Sequence, residues 1–206
     1  ARGGTLAQME EVFGASLPEL NRFLGAYLGG LPSAKNTQLR LANSIWLRDD
    51  DTLKVERSFL QSNADYYGAA AYRAPFDGGT LKAVNGWVRD CTDGQIREIL
   101  DEISPDAVMY LVNALAFDAE WENIYREDQV RDGVFTTEAG KTRDAELLYG
   151  TEHRYLEGGG AAGFLKYYEG RGYAFAALLP DEGVPLSDYI ASLTGPKLLE
   201  LLQNPQ

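Results

Sequence analysis

The stretch "AVMYLVNALAF", residues 107–117, is apolar at every position except Asn113. An unbroken run of this kind, carrying β-branched Val108 and Val112, reads as a strand buried on both faces; a half-exposed strand would alternate. Asn113 sits close to its middle. A buried amide without partners costs about 1–3 kcal/mol, so either Asn113 finds partners elsewhere or the strand reading fails. On periodicity alone, a local hydrogen bond to a helix or to water is a sufficient partner.

Working outward, residues 80–90 read as a helix with Leu81, Val84, Trp87, Val88 and Cys91 on one apolar stripe, Thr80 as its N-cap and Asp93-Gly94 interrupting it before "QIREIL". Further upstream, "TLAQMEEVFG" from Thr5 and "SLPELNRFLGAYLGG" read as two helices, the second with Ser16 and Glu19 at capping-box spacing. "TQLRLANSIWL" then alternates, with Leu39, Leu41, Ile45 and Leu47 on one face and Ala42 and Trp46 on the other, as a strand covered on both sides does. "KVERSFLQSNADYYG" returns to helical spacing, and "AAAYRAPF" is a short strand before the Asp77-Gly78-Gly79 turn. After Trp121 come short strands, "GVFTT", "TRDAELLY", "EHRYL", "AGFLKYY" and "YAFAALLP", then a helical region broken by Gly195-Pro196. The expected class is α+β, mixed α and β with segregated sheets, in one domain over residues 1–206 without an internal repeat.

Composition narrows the chemistry. The net charge of −12, with 19 scattered basic residues, excludes a phosphate-binding face for nucleic acid. One cysteine, Cys91, permits no internal disulfide and no thiolate zinc cluster; on an apolar helix face it reads as a packing residue. The single histidine, His153, lies in a polar stretch with no nucleophile motif near it, so a hydrolase triad is not supported. "EGGGAAG" at 157–163 lacks the Lys-Ser/Thr of a phosphate loop and reads as a hairpin turn. The carboxylates Glu10-Glu11 and Asp49 to Asp51 read as solvated helix face and turn. No run approaches the roughly 20 apolar residues of a membrane span. The chain opens at "ARGGT" without Met and stops at "LLELLQNPQ" just after a helical pattern, so both ends read as cut.

"VNGWVRDCTDGQIREIL" followed by "SPDAVMYLVNALAFDAEW" resembles the serpin family of protease inhibitors. The matching positions are Asn85, Trp87, Val88, Thr92, Gly94 and Ile96, then Leu111, Val112, Asn113, Ala114, Phe117 and Trp121. The likeness extends to "LANSIWL" and "FLQSNADYYGA" upstream and to "LKYYEGRGYAFAALLP" downstream, and so covers nearly the whole chain. Val130, Ala107, Asp118-Ala119 and Leu147-Leu148 depart from the usual residues at their positions.

The resemblance implies a serpin-like mixed fold: a large central sheet with helices packed on it, plus smaller sheets. Residues 107 to about 119 become the third strand of that sheet, and 80–100 mainly the helix lying across it. Asn113 becomes a member of the shutter, the polar cluster where the sheet parts, and Trp121 marks the breach, where insertion begins. The opening helices, the fifth strand, the reactive-centre loop and the closing strands are expected outside these 206 residues. The implied partner is a target protease of the serine or cysteine class, trapped by a suicide mechanism in which the loop inserts into a metastable sheet. No cofactor, metal, nucleic acid or membrane is implied, and the full-length protein is expected to be a monomer acting outside the cell. The alternative is a non-inhibitory serpin serving as chaperone, carrier or storage protein; small residues in the hinge before the reactive centre distinguish the inhibitory kind.

Overall fold

The computed structural model describes residues 3–206, which divide into two compact units, Gln38–Asp118 with the preceding helices in one and Ser33–Thr37 with Ala119–Gln206 in the other.

In the first unit, helices α1 (Gly3–Phe13) and α2 (Leu17–Gly29) precede strand β1 (Thr37–Arg48), helix α3 (Arg57–Tyr67), strand β2 (Ala70–Ala74), helix α4 (Gly78–Cys91) and strand β3 (Met109–Ala119). Helix α1 ends at Gly14, whose φ of 65° a residue with a Cβ rarely adopts. In α2 the expected box forms: the Glu19 carboxylate accepts from the Ser16 N–H at 3.1 Å. The three strands form one sheet in the order β2-β1-β3, with β1 and β2 parallel and Trp46 opposite Tyr72. Those two rings stack at 4.4 Å.

Helix α4 lies over this sheet. Val84 and Val88, both 0% exposed, cluster with Trp46 of β1, Val112 and Ala114 of β3, and Phe76, while Trp87, Ile96, Leu100 and Ile103 pack around them. The cap differs from expectation. Asp77, not Thr80, is the N-cap; its Oδ1 accepts from the N–H groups of Gly79 and Thr80 at 2.9 Å, and Thr80 sits at the third helical position, where its hydroxyl accepts from Phe76. A carboxylate facing two free helix N–H groups outcompetes a hydroxyl three residues later. The helix also ends at Cys91, so residues 92–100 form an irregular return rather than more helix.

Strand β3 corrects the opening expectation. Val112 and Ala114 are buried under α4 and Ala116 is buried on the same face, but the alternate residues face outward: Leu111 is 65% and Leu115 52% exposed, with Asn113 exposed between them. Only one face is covered, because helix α4 packs on one side and no described residue seals the other. Strand β1 is buried on both faces only at Ser44–Leu47.

The second unit carries an antiparallel ribbon of β4 (Val130–Thr136) and β5 (Thr142–Leu148), and a meander of β6 (Tyr155–Gly158), β7 (Ala161–Tyr167) and β8 (Ala174–Pro180). The glycine-rich stretch is the β6–β7 turn, with Gly158, Gly159 and Gly160 all at positive φ. Helices α5 (Leu186–Ser192) and α6 (Gly195–Gln203) follow; the break falls at Leu193-Thr194, and Gly195-Pro196 open the second helix beneath the Thr194 cap. Leu201 of α6 packs on Leu156 and Leu165.

Removing two buried methyls at Val84 or Val88 forfeits about 0.8 kcal/mol per group plus a cavity term, so Val84→Ala and Val88→Ala are each expected to lower stability by about 2–3 kcal/mol in urea unfolding. Gly163 leaves no room for a side chain, since a Cβ there would overlap the Ala177 carbonyl oxygen of the paired strand. Gly163→Ala is expected to cost about 1–3 kcal/mol or more, read in the same titration. The Asp77 carboxyl is held below the usual carboxylate range, first by the Thr80 N–H. A lowered folded pKa means stability present above the unfolded value of about 4 and lost as pH falls through the folded one, so Asp77→Asn is expected to flatten the acid limb of the unfolding midpoint below about pH 4.

Candidate functional site

The residues singled out around α4 fix the return from helix to strand. Asn85 Nδ2 donates to the Leu100 carbonyl at 2.8 Å, and its Oδ1 accepts from the N–H groups of Ile99 and Leu100 at 3.0 and 3.1 Å. Thr92, fully buried, donates to the Val88 carbonyl at 2.8 Å and accepts from the Ile96 N–H at 3.1 Å. Asp93 and Gly94, both at positive φ, turn the chain back between them. Together these side chains replace the backbone ladder that an irregular segment lacks, so Ile96 and Leu100 can be pressed against the helix–sheet core. Trp87 packs against the same core.

Arg48, which the sequence reading passed over, anchors the start of β3. Its guanidinium donates to the carbonyls of Ala107 and Pro105, both at 2.7 Å, its backbone N–H to that of Val108 at 2.9 Å, and it lies 5.1 Å from the centre of the Phe76 ring. A lone arginine closing an apolar strand run was the available signal.

Strand β3 is the outer strand of its sheet; on the side away from β1 it has no strand neighbour among the described residues. Asn113 does have a partner: its Nδ2 donates to Asn43 Oδ1 of β1 at 2.8 Å, and Asn43 Nδ2 donates to the Tyr67 carbonyl at 3.0 Å. The partner found is thus a cross-strand amide, not a helix. It was legible only once the pairing of β1 with β3 was known, because the two asparagines are far apart in sequence.

Trp121 belongs to the second unit. It forms an isolated antiparallel bridge with Tyr168, stacks on that ring at 4.2 Å and meets Phe175 edge-on at 6.0 Å. Lys166, 6% exposed, lies against Trp121 at 5.5 Å and Tyr125 at 4.5 Å and pairs with the Glu152 carboxylate. A buried ammonium is tolerable when a carboxylate and two ring faces replace its water. Lys166 interrupts the apolar run of "AGFLKYY" as Asn113 interrupts its own, and the same test of an isolated polar residue would have found it.

Neither locus has the makings of covalent catalysis. His153 is exposed, and burial, followed by the neighbouring Asp90 charge, pushes the Cys91 thiol up, away from the reactive thiolate. Among the described residues no group of three or more His, Cys, Asp or Glu side chains is placed to hold a metal, and no helix is long and apolar enough to cross a membrane.

Comparison with known proteins agrees with this architecture. The profile of the family Serpin (serine protease inhibitor) matches residues 1–206. Serpin B10 of Bos taurus is 28% identical over 170 residues, covering 79% of this chain and 42% of its own, and serpin A11 of Rattus norvegicus is 33% identical over 158 residues, covering 74% and 37%. Among solved structures, the thermophilic serpin tengpin is 41% identical and covers the whole chain, with a TM-score of 0.93 in its native state (54% of that protein) and 0.92 in its latent state (57%). The chain therefore spans roughly half the length of the relatives it matches. With a sheet, an overlying helix and a family match that runs from end to end, the chain belongs to the serpin family, whose members are mostly protease inhibitors rather than enzymes.

Proposed function

We propose that the full-length protein is a suicide-substrate inhibitor of a serine or cysteine protease, and that β3 is one wall of the slot into which its reactive-centre loop inserts. Both units would then belong to one serpin domain. The observation that supports this reading is the 11-residue strand β3, propped from one face by α4, which among the described residues has no strand neighbour on the side away from β1, where the resemblance places a further strand. Such an edge accepts another strand readily. Insertion of a loop between β3 and a further strand adds one net ladder of main-chain hydrogen bonds; some five bonds at about 1 kcal/mol each give on the order of 5 kcal/mol, before apolar burial is counted.

The chemistry belongs to the protease. Its nucleophile attacks the scissile carbonyl of the loop, the peptide bond breaks, the new amine leaves protonated, and an ester or thioester joins the two proteins. Water would normally hydrolyse that bond. Insertion that outruns hydrolysis carries the acyl-enzyme away and distorts its active site. Asn113 would act as the shutter residue, at the point where the strands part, and Trp121, two residues past the end of β3, as the breach residue. Asn85, Trp87, Thr92 and Gly94 would keep α4 seated while the edge is remodelled. Tengpin, which resembles this chain along its whole length, has been solved in both a native and a latent state. An extracellular, monomeric protein is the matching form.

Incubation of the full-length protein with a panel of serine and cysteine proteases is expected to yield a detergent-resistant adduct with at least one of them, and loop cleavage is expected to raise the unfolding temperature. Residues 1–206 alone should form no adduct. Loop cleavage without adduct or stabilisation would overturn the inhibitory reading in favour of a non-inhibitory serpin.

A further inference from the structure

We propose that Asn85 is a deamidation site that the native fold holds shut and any opening of α4 exposes, and that a chain modified there cannot seat the helix on the sheet again. Nothing in this requires the protein to inhibit a protease.

Asn85 is the one asparagine of the sequence followed by glycine. Such a pair is labile because Gly86 has no Cβ to keep its nitrogen from the side-chain amide carbon, and its free backbone reaches the geometry of attack. In the reaction the Gly86 nitrogen bonds to Asn85 Cγ, the Cγ–Nδ2 bond breaks, and Nδ2 leaves as ammonia with the proton that Gly86 gives up. Water then opens the cyclic imide. Attack at Cγ gives aspartate; attack at the Asn85 main-chain carbonyl gives isoaspartate, in which the backbone runs through the former side chain. Water is the only co-reactant.

The fold blocks this twice. The Gly86 N–H belongs to the hydrogen-bond ladder of α4, which spans Gly78–Cys91. The Asn85 amide is tied from both ends to the return segment, by Nδ2 to the Leu100 carbonyl at 2.8 Å and by Oδ1 to the N–H groups of Ile99 and Leu100, so Cγ cannot swing toward Gly86. Packing gives no reason for the glycine: a Cβ there would meet only the Arg89 guanidinium, at an ordinary 3.7 Å. Glycine inside a helix is less favourable than alanine, so the residue that makes Asn85 labile also loosens the helix that protects it.

The products are incompatible with the seat of α4. Val84 and Val88, both fully buried, stand on either side of the Asn85-Gly86 bond. Isoaspartate inserts one extra backbone atom between them, so when one valine is seated the other is out of place. Aspartate keeps an acceptor for the Ile99 and Leu100 N–H groups but sets a second oxygen against the Leu100 carbonyl. A chain that stays open long enough is thereby lost by chemistry, not only by aggregation.

The full-length protein is aged at mildly alkaline pH, in buffer and in unfolding guanidinium chloride, and Asn85 is followed by peptide mass mapping, with isoaspartate read by enzymatic methylation. In denaturant Asn85 should convert before the other asparagines, and in buffer at least about a hundredfold more slowly. Val84→Ala, by enlarging the open fraction, should speed conversion in buffer about tenfold or more. When denaturant is removed, converted chains should be missing from the folded peak in gel filtration, to which briefly exposed chains return. Gly86→Ala should suppress conversion and restore recovery after long exposure. Equal rates in buffer and denaturant, an unchanged rate in Val84→Ala, or converted chains refolding as well as unconverted ones would overturn the inference. So would a Gly86→Ala protein lost on ageing as fast as the wild type. If even briefly exposed chains fail to refold, Asn85→Asp decides: a lower unfolding midpoint supports the damage assigned to the product, and a midpoint equal to that of the wild type overturns it.

Discussion

The structure of the sheet unit depends on the seating of Val84 and Val88 of α4 upon Val112, Ala114 and Trp46. Two fully buried valines on successive helical turns define where the helix lies, and the small Ala114 beneath lets it come close. The ends of the helix and the return to β3 serve that contact. Asp77 starts the helix, Thr92 and Gly94 stop it, and Asn85 folds the return so that Ile96 and Leu100 enlarge the same core. The polar residues of the motif are exchange partners for backbone groups that an irregular segment would otherwise leave unpaired.

Because the helix clamps one face and leaves the edge alone, stability and openness are assigned to different directions of one strand. Burial of the α4-facing residues holds β3 in place perpendicular to the sheet. Pairing with β1 holds it laterally on one side. On the proposed reading, its remaining edge would pass between partners without unpacking the core. A strand buried on both faces and paired on both edges would have no such freedom.

How much of this was legible depended on whether the signal was local. Helical stripes, the glycine turn between β6 and β7 and the order of elements follow from spacing within a few residues, and the sequence reading found them. The α4 cap was misplaced by three residues because Thr80 is a good capping residue, and only the geometry shows that the Asp77 carboxylate already holds both N–H groups. The covering of β3 was misjudged for a deeper reason. An apolar residue records that a face is meant to be buried, not which part of the protein buries it, so Leu111 and Leu115 read like Val112 and Ala114. Partners distant in sequence, such as Asn43 for Asn113 or Glu152 for Lys166, left a mark only as a polar residue standing alone in an apolar run.

That mark is more informative than it first appears. A lone polar residue in an apolar strand persists only if something satisfies it, and what satisfies it imposes direction: Lys166 needs negative charge and ring faces, Asn113 needs an acceptor from Asn43. Apolar contacts tolerate sliding, since one methyl serves nearly as well as the next, whereas an amide out of register loses its bond outright. An edge that must receive a strand at one register and no other therefore gains from carrying a polar residue near its centre. A slip of one residue would also turn every side chain of the incoming strand to the wrong face. If the proposed insertion takes place, Asn113 would be less an interruption of the apolar run than its index mark, the point from which the pairing of a new strand is counted.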